Sequence, residues 1–213
     1  GKSINAEGVG HNLETHDEDI IRYVVTGLNA GAIKQYDVRY EDKGCVITNV
    51  NYCGGSTLDI PSAINGKNVI GIDSLSSDKI IDLESDETYH GDITVVKIPD
   101  TVIKIGDYAF YGMASLQTVL FKGTPKVTEI GEGVFCRCDN LQVVPLPSSI
   151  TKIPDGLFLG CSSLVCVIPW QITEIGEHAF EGANIEKVFY KGDQSEFRNI
   201  VNHQIFDDEN VYY

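Results

Sequence analysis

Basic side chains are scarce in this 213-residue chain: 16 Lys and Arg stand against 31 Asp and Glu, giving a formal charge of −15 and a sequence pI near 4.6. A nucleic-acid partner is therefore not expected, because neutralising phosphates takes a basic face. Long apolar runs are missing as well. No segment approaches the roughly 18 residues of a membrane span, and residues 1 to 20 lack a basic start followed by an apolar stretch. The chain reads as soluble, with a signal peptide expected upstream of Gly1. Six Cys are too few for a disulfide scaffold at this length, and no C-x-x-C pair offers zinc or redox chemistry. Hydrophobic residues at 42% and charged residues at 22% are ordinary usage, which excludes global disorder. At this length the chain is expected to form one domain, or one with a small appendage.

Catalytic signatures are missing too. His11, His16, His90, His178 and His203 are dispersed, and there is no H-E-x-x-H, G-x-S-x-G or G-x-G-x-x-G. Gly1-Lys2-Ser3 lacks the upstream half of a phosphate loop. Acidic groups gather at Asp17 to Asp19, at Asp82, Glu84, Asp86 and Glu87, and at Asp207 to Glu209. None has the D-x-[DN]-x-[DN]-G calcium pattern, so each reads first as a solvated charge run. No catalytic residue, metal ligand or cofactor is assigned.

What the sequence does have is an internal repeat. Ile105-Gly106-Asp107-Tyr108-Ala109-Phe110 recurs in degenerate form from Ile130 to Phe135, Ile153 to Phe158 and Ile175 to Phe180, at steps of 25, 23 and 22 residues. Three residues before each Ile stands Val102, Val127, Ile150 or Ile172. Three after each Phe comes Met113, Cys138, Cys161 or Ala183, and then Leu116, Leu141, Leu164 or Ile185 opens a short β-type run. Most of these runs close on a proline, at Pro99, Pro147 and Pro169. Strands so short cover their inward residues only by stacking on the next unit, so the repeat dictates a solenoid. The D/E-x-x-F segments suit one or two helical turns with Phe buried, and the four Phe should form one column.

The pattern I-P-x-x-V-x-x-I-G-x-x-A-F-x-G-C-x-x-L from Ile98 to Leu116, with its three degenerate copies, resembles the BspA-type leucine-rich repeats of bacterial surface proteins. Gly44 to Lys67 looks like the first coil of that family, with Val69 to Ile72 as its second strand, and Phe189 to Arg198 with Val211 to Tyr213 is similar to its closing segment. The chain departs from the pattern twice. Residues 73 to 92 replace the usual turn segment with a polar, acidic stretch, and Leu164 to Pro169 is one residue short. The resemblance implies a leucine-rich-repeat solenoid: a right-handed β/α superhelix, strand-rich with short helical turns, a parallel sheet on one face and caps at both ends. It also implies cell-surface or secreted adhesion to host proteins or other cells.

The expected organisation is a lead-in and cap over residues 1–42, the repeat solenoid over 43–192, and a C-terminal cap over 193–213. Ile20 to Thr26 and Ile33 to Glu41 are β-like runs around Gly27 to Gly31, a candidate hairpin over the first coil. Asp193 and Glu196 form a capping box ahead of Phe197 and Ile200. Cys138 and Cys161 should stack as small buried groups, Cys136 should face outward, and Cys45 with Cys53 is the one hairpin-spaced candidate disulfide.

Two sets of outward positions differ in kind. Lys104, Glu129, Lys152 and Glu174 alternate in sign from coil to coil, a ladder that favours register. On the first strands the outward residues are Val95 and Lys97, Thr118 and Leu120, Val143 and Pro145, then Lys187 and Phe189, several of them apolar. Exposed apolar surface rimmed by polar groups marks recognition sites. The favoured reading is a non-enzymatic binding module for an extracellular protein or glycan surface, through Lys97, Leu120, Pro145, Lys187 and Phe189. The alternative is a structural spacer presenting another domain, and an enzyme built around residues 82 to 87 and His90 is least favoured. The ligand's identity and the oligomeric state are not legible in the sequence.

Overall fold

The computed structural model describes residues 3–4, 10–11, 13–15, 20–26, 33–53, 55–75 and 93–213. The chain winds as a β-solenoid of about six turns. Each coil offers a first strand, a second strand two residues long in most coils, and a run of tight turns. The first strands are Thr57–Asp59, Val95–Ile98, Thr118–Phe121, Cys166–Ile168, Val188–Tyr190 and, at the end, Val211–Tyr212. They pair in parallel and in register, so that Leu58, Val96 and Val119 lie in one row, as do Cys166, Val188 and Val211. All six are buried.

The second strands are Lys67–Ile72, Lys104–Ile105, Glu129–Ile130, Lys152–Ile153 and Glu174–Ile175. In the last four, a charged residue faces out and an Ile faces in. Lys104 pairs with Glu129 at 3.2 Å and Lys152 with Glu174 at 2.5 Å, so the alternating charges meet in pairs. The side chains are 43% exposed or more, which limits each pair to about 1 kcal/mol at most.

The turn runs carry the column. Phe110, Phe135, Phe158 and Phe180 stack with ring centroids 5.6, 5.9 and 5.4 Å apart, and Phe206 of the C-terminal segment closes the column 5.2 Å from Phe180. Backbone donors in these runs alternate in direction. Phe135 N–H donates to Leu157 C=O in the next coil, whereas Cys136 N–H turns back to Gly133 C=O. The backward bonds have helical-turn pitch, but positive φ at Tyr108, Gly133 and Gly156 and again at Gly112, Arg137, Gly160 and Gly182 stops a regular helix. Cys138 and Cys161 sit in the next column, fully buried, and their thiols point at the carbonyls of Phe110 and Phe135 at 3.2 and 3.0 Å. Burial pushes both thiols up, Cys161 to about 12, so they remain protonated donors.

Prolines interrupt both ladders at the fourth coil. Gly106, Gly131 and Gly176 each donate an amide N–H to the preceding coil, to Ile72, Ile105 and Ile153. Pro154 occupies the same place and has no N–H to give. Glu129–Ile130 and Lys152–Ile153 accordingly fall in separate sheets, and Ile130 is half-buried where the other anchor isoleucines are buried. On the first-strand side Pro145 has the same effect, leaving only the bridge between Thr118 and Val143.

At the N-terminal end Ile20–Thr26 pairs antiparallel with Ile33–Glu41, which pairs with Gly44–Cys53, which runs parallel to Lys67–Ile72. The Gly27 to Gly31 turn lies outside the described residues. At the other end Asp193 caps the helix Gln194–Phe197 through the expected capping box, and Phe197 and Ile200 are buried.

One cysteine expectation is corrected, and the one candidate disulfide is resolved. Cys136 is buried, not outward, because the middle coils enclose a position where Tyr111 and Leu159 are half-buried and only Glu181 of the last coil is exposed. Cys45 and Cys53 lie in one continuous strand, Gly44–Cys53. Eight residues of strand separate them by about 26 Å, far beyond disulfide reach, and Cys45 is a free, buried thiol.

Replacing Phe135 or Phe158 with Ala should cost about 3 to 5 kcal/mol, through lost burial plus a cavity between stacked rings. Replacing Glu129 with Ala should cost under about 1 kcal/mol. Urea denaturation of the three variants checks this, and comparable losses in both classes would contradict the inward and outward assignments.

Candidate binding face

The in-register stacking of the first strands turns their outward residues into two columns. One joins Val95, Thr118 and Val143, with Val165 and Lys187 on the last coils. The other runs through Asp59, Lys97 and Leu120, and resumes as Val167, Phe189 and Tyr212. Of the residues singled out from sequence, Leu120 is 43% and Phe189 42% exposed, Pro145 and Lys187 are exposed, and Lys97 is half-buried between Asp59 and Leu120. An ion pair between Lys122 and Asp59 closes the polar end of the stripe.

The other end is aromatic. The rings of Phe189 and Tyr212 lie 5.6 Å apart, and Lys187 Nζ sits 5.8 Å from the centre of the Tyr212 ring. Trp170, the only Trp of the chain, is 67% exposed just beyond the Cys166–Ile168 strand, and its carbonyl accepts from the Tyr190 hydroxyl at 3.4 Å. Val165, Val167, Trp170 and Tyr212 were missed by the sequence reading. The alternation from Leu164 to Ile168 carried the signal for the two valines, but the shortened run hid its register.

A separate polar contact lies on the turn runs. Asp155 accepts the backbone N–H of His178 at 2.7 Å and faces its ring Nδ1 at 3.1 Å. Asp107 accepts the amide of Glu132 in the same way at 2.9 Å. A Cβ at Gly176 would lie 2.6 Å from Asp155 Cα, so the close approach that brings Asp155 to His178 requires glycine there.

The residues Asp17 to Asp19, Asp82, Glu84, Asp86, Glu87, His16 and His90 lie outside the described residues. Among the described residues no group of three or more His, Cys, Asp or Glu is placed to hold a metal ion, and no helix is long and apolar enough to cross a membrane.

The model of the BspA type leucine rich repeat region matches residues 83–210 in six copies, more than half of the chain. The chain belongs to the BspA-type leucine-rich-repeat family. Among solved structures this BspA-type chain is similar to the leucine rich repeat protein of T. pallidum, at 27% identity and a TM-score of 0.57, covering 72% of this chain and 68% of that one. It is also similar to a leucine rich cell surface protein of Faecalibacterium prausnitzii A2-165, at 25% identity and a TM-score of 0.51, covering 84% of this chain but 48% of that one. No curated protein matches the chain significantly.

The His178 ring should titrate above its ordinary value of 6.5, because the Asp155 carboxylate bonds and attracts the protonated form. Asp155 is held below the ordinary carboxylate range, first by the His178 amide and then by its ring. The His178 contribution to stability is therefore fully present below about pH 6.5 and is lost as pH rises through its raised folded value. The Asp155 contribution is present at neutral pH and is lost as pH falls through its lowered value. A proton NMR titration should place the His178 midpoint above 6.5 and move it down in Asp155→Asn; an ordinary midpoint in the parent chain would contradict the contact.

Proposed function

We propose that this BspA-type chain is a non-enzymatic adhesion module, cell-surface or secreted in a bacterium, that binds an extracellular protein through the open face of its first-strand sheet. Lys97, Leu120, Pro145, Lys187 and Phe189 form the contact, extended by Val165, Val167, Trp170 and Tyr212. Residues 43–192 act as the rigid solenoid, while 1–42 and 193–213 cover its ends.

The observation that carries this reading is the exposed apolar stripe. The stack needs its inward residues, yet nothing in the packing of a coil calls for Leu120 or Phe189 outside, where water meets more than two fifths of each. Burying such a side chain against a partner contributes about 1.5 to 3 kcal/mol, and rigid aromatic anchors beside a lysine suit a protein surface. The likeness to a cell surface protein of F. prausnitzii supports the location. A glycan surface would use the same aromatic end.

The test is surface plasmon resonance against a panel of immobilised extracellular-matrix proteins. Leu120→Asp with Phe189→Asp should weaken binding at least about tenfold while circular dichroism stays unchanged. Unchanged affinity would move the site elsewhere, to the Asp82 to Glu87 segment first. A folded parent chain that binds no member of the panel would favour the spacer role.

A further inference from the structure

The second-strand and turn-run side of the solenoid holds a feature that the sheet-face reading does not use. Between the last turn run and the C-terminal segment lies a cleft of about 470 Å³ with an apolar floor of Phe180, Phe206 and Val188. Its rim is acidic, formed by Glu177, Glu181 and Asp207. All three are exposed, and no salt bridge reaches any of them among the described residues. No Lys or Arg lines the cleft, and the ring of His178 at its edge is engaged by Asp155.

The cleft does not end there. A second hollow of about 700 Å³ shares Glu177 and His178 with it and runs back to Glu129 and Glu132. This hollow is lined by Glu129–Ile130 and Lys152–Ile153, second strands that fall in separate sheets, and by Pro154, which has no N–H for the ladder. Its one lysine, Lys152, is bonded to Glu174. A small molecule would fill one hollow and leave the other empty, whereas an extended chain can occupy both.

We propose that this trench is a second docking site, taking an extended basic segment of a partner polypeptide, with one apolar side chain seated on Phe180 and Phe206 and arginines or lysines against the rim. The apolar seat supplies affinity and the carboxylates supply selectivity and salt dependence. The rim charge also separates this site from the sheet face, where Lys97 and Lys187 stand on the stripe.

The test uses the whole chain and a fluorescein-labelled hexapeptide alternating arginine and leucine, read by fluorescence anisotropy. Glu177→Gln with Glu181→Gln should weaken binding at least about tenfold. Asp139→Asn with Glu186→Gln, which line neither hollow, should leave it within about twofold. Leu120→Asp with Phe189→Asp should also leave it unchanged, so the outcome is independent of the adhesion reading. A peptide with glutamate in place of arginine should not bind. The proposal is overturned if the Glu177 and Glu181 pair has no effect, or if the Asp139 and Glu186 control loses as much, which would mean attraction to the chain's overall charge. Butylguanidinium binding as tightly as the peptide would also overturn it, in favour of a site for small organic cations.

Discussion

Everything in this molecule depends on each coil lying one strand spacing, about 4.8 Å, from its neighbours. At that distance a short strand is covered only by its equivalents, so a side chain must tolerate its own kind above and below. Phenylalanine does so by stacking, as the nearly parallel rings of Phe110, Phe135 and Phe158 show with interplanar angles of 8° and 9°. The same spacing allows Phe135 N–H to reach the next coil while Cys136 N–H turns back on its own. A coil without a neighbour would lose half of those bonds, so the ends are closed by other means: Phe206 over Phe180, Val211–Tyr212 beside Val188–Tyr190, and Gly44–Cys53 beside Lys67–Ile72.

The same constraint separates structural from free positions. Outward residues of the second strands lie one spacing apart, and the chain fills them with Lys and Glu that neutralise each other in pairs. The outward residues of the first strands face the same geometry and mix Leu120, Pro145, Val165, Phe189 and Tyr212 with Asp59, Lys97, Thr118 and Lys187 instead of alternating in charge. Stacking explains the first choice and not the second, and this contrast makes the sheet face the place to look for a partner.

The periodic part of the fold was legible in the sequence because periodicity is a direct record of stacking. The Phe column, the charged ladder, the capping box at Asp193 and the strands Ile20–Thr26 and Ile33–Glu41 were all readable from spacing. The wrong expectation at Cys136 and the open question at Cys45 share a physical cause. Whether Cys136 faces water depends on how closely the coils on either side enclose it, and whether Cys45 meets Cys53 depends on whether the chain between them folds back or runs straight. Both are decided by neighbours far along the chain. Of the candidate face, Leu120 and Phe189 were visible as apolar residues in outward phase, whereas Val167 and Tyr212 join Phe189 only through the register of the last three strands.

The prolines of the fourth coil show which ladder holds the halves of the solenoid together. Pro145 reduces the first-strand sheet to one bridge, and Pro154 parts the second strands, so neither sheet runs through. The turn runs do. Gly133, Phe135 and Arg137 each donate an amide N–H to Asp155, Leu157 and Leu159 across that boundary, and Phe135 stacks on Phe158 at 5.9 Å. Backbone bonding across that boundary is therefore densest along the turn runs, with Gln142 N–H to Gln117 C=O adding one bond on the first-strand side. The larger of the two hollows lies where the second strands fall into separate sheets, and Pro154, which has no N–H for the ladder, is part of its lining.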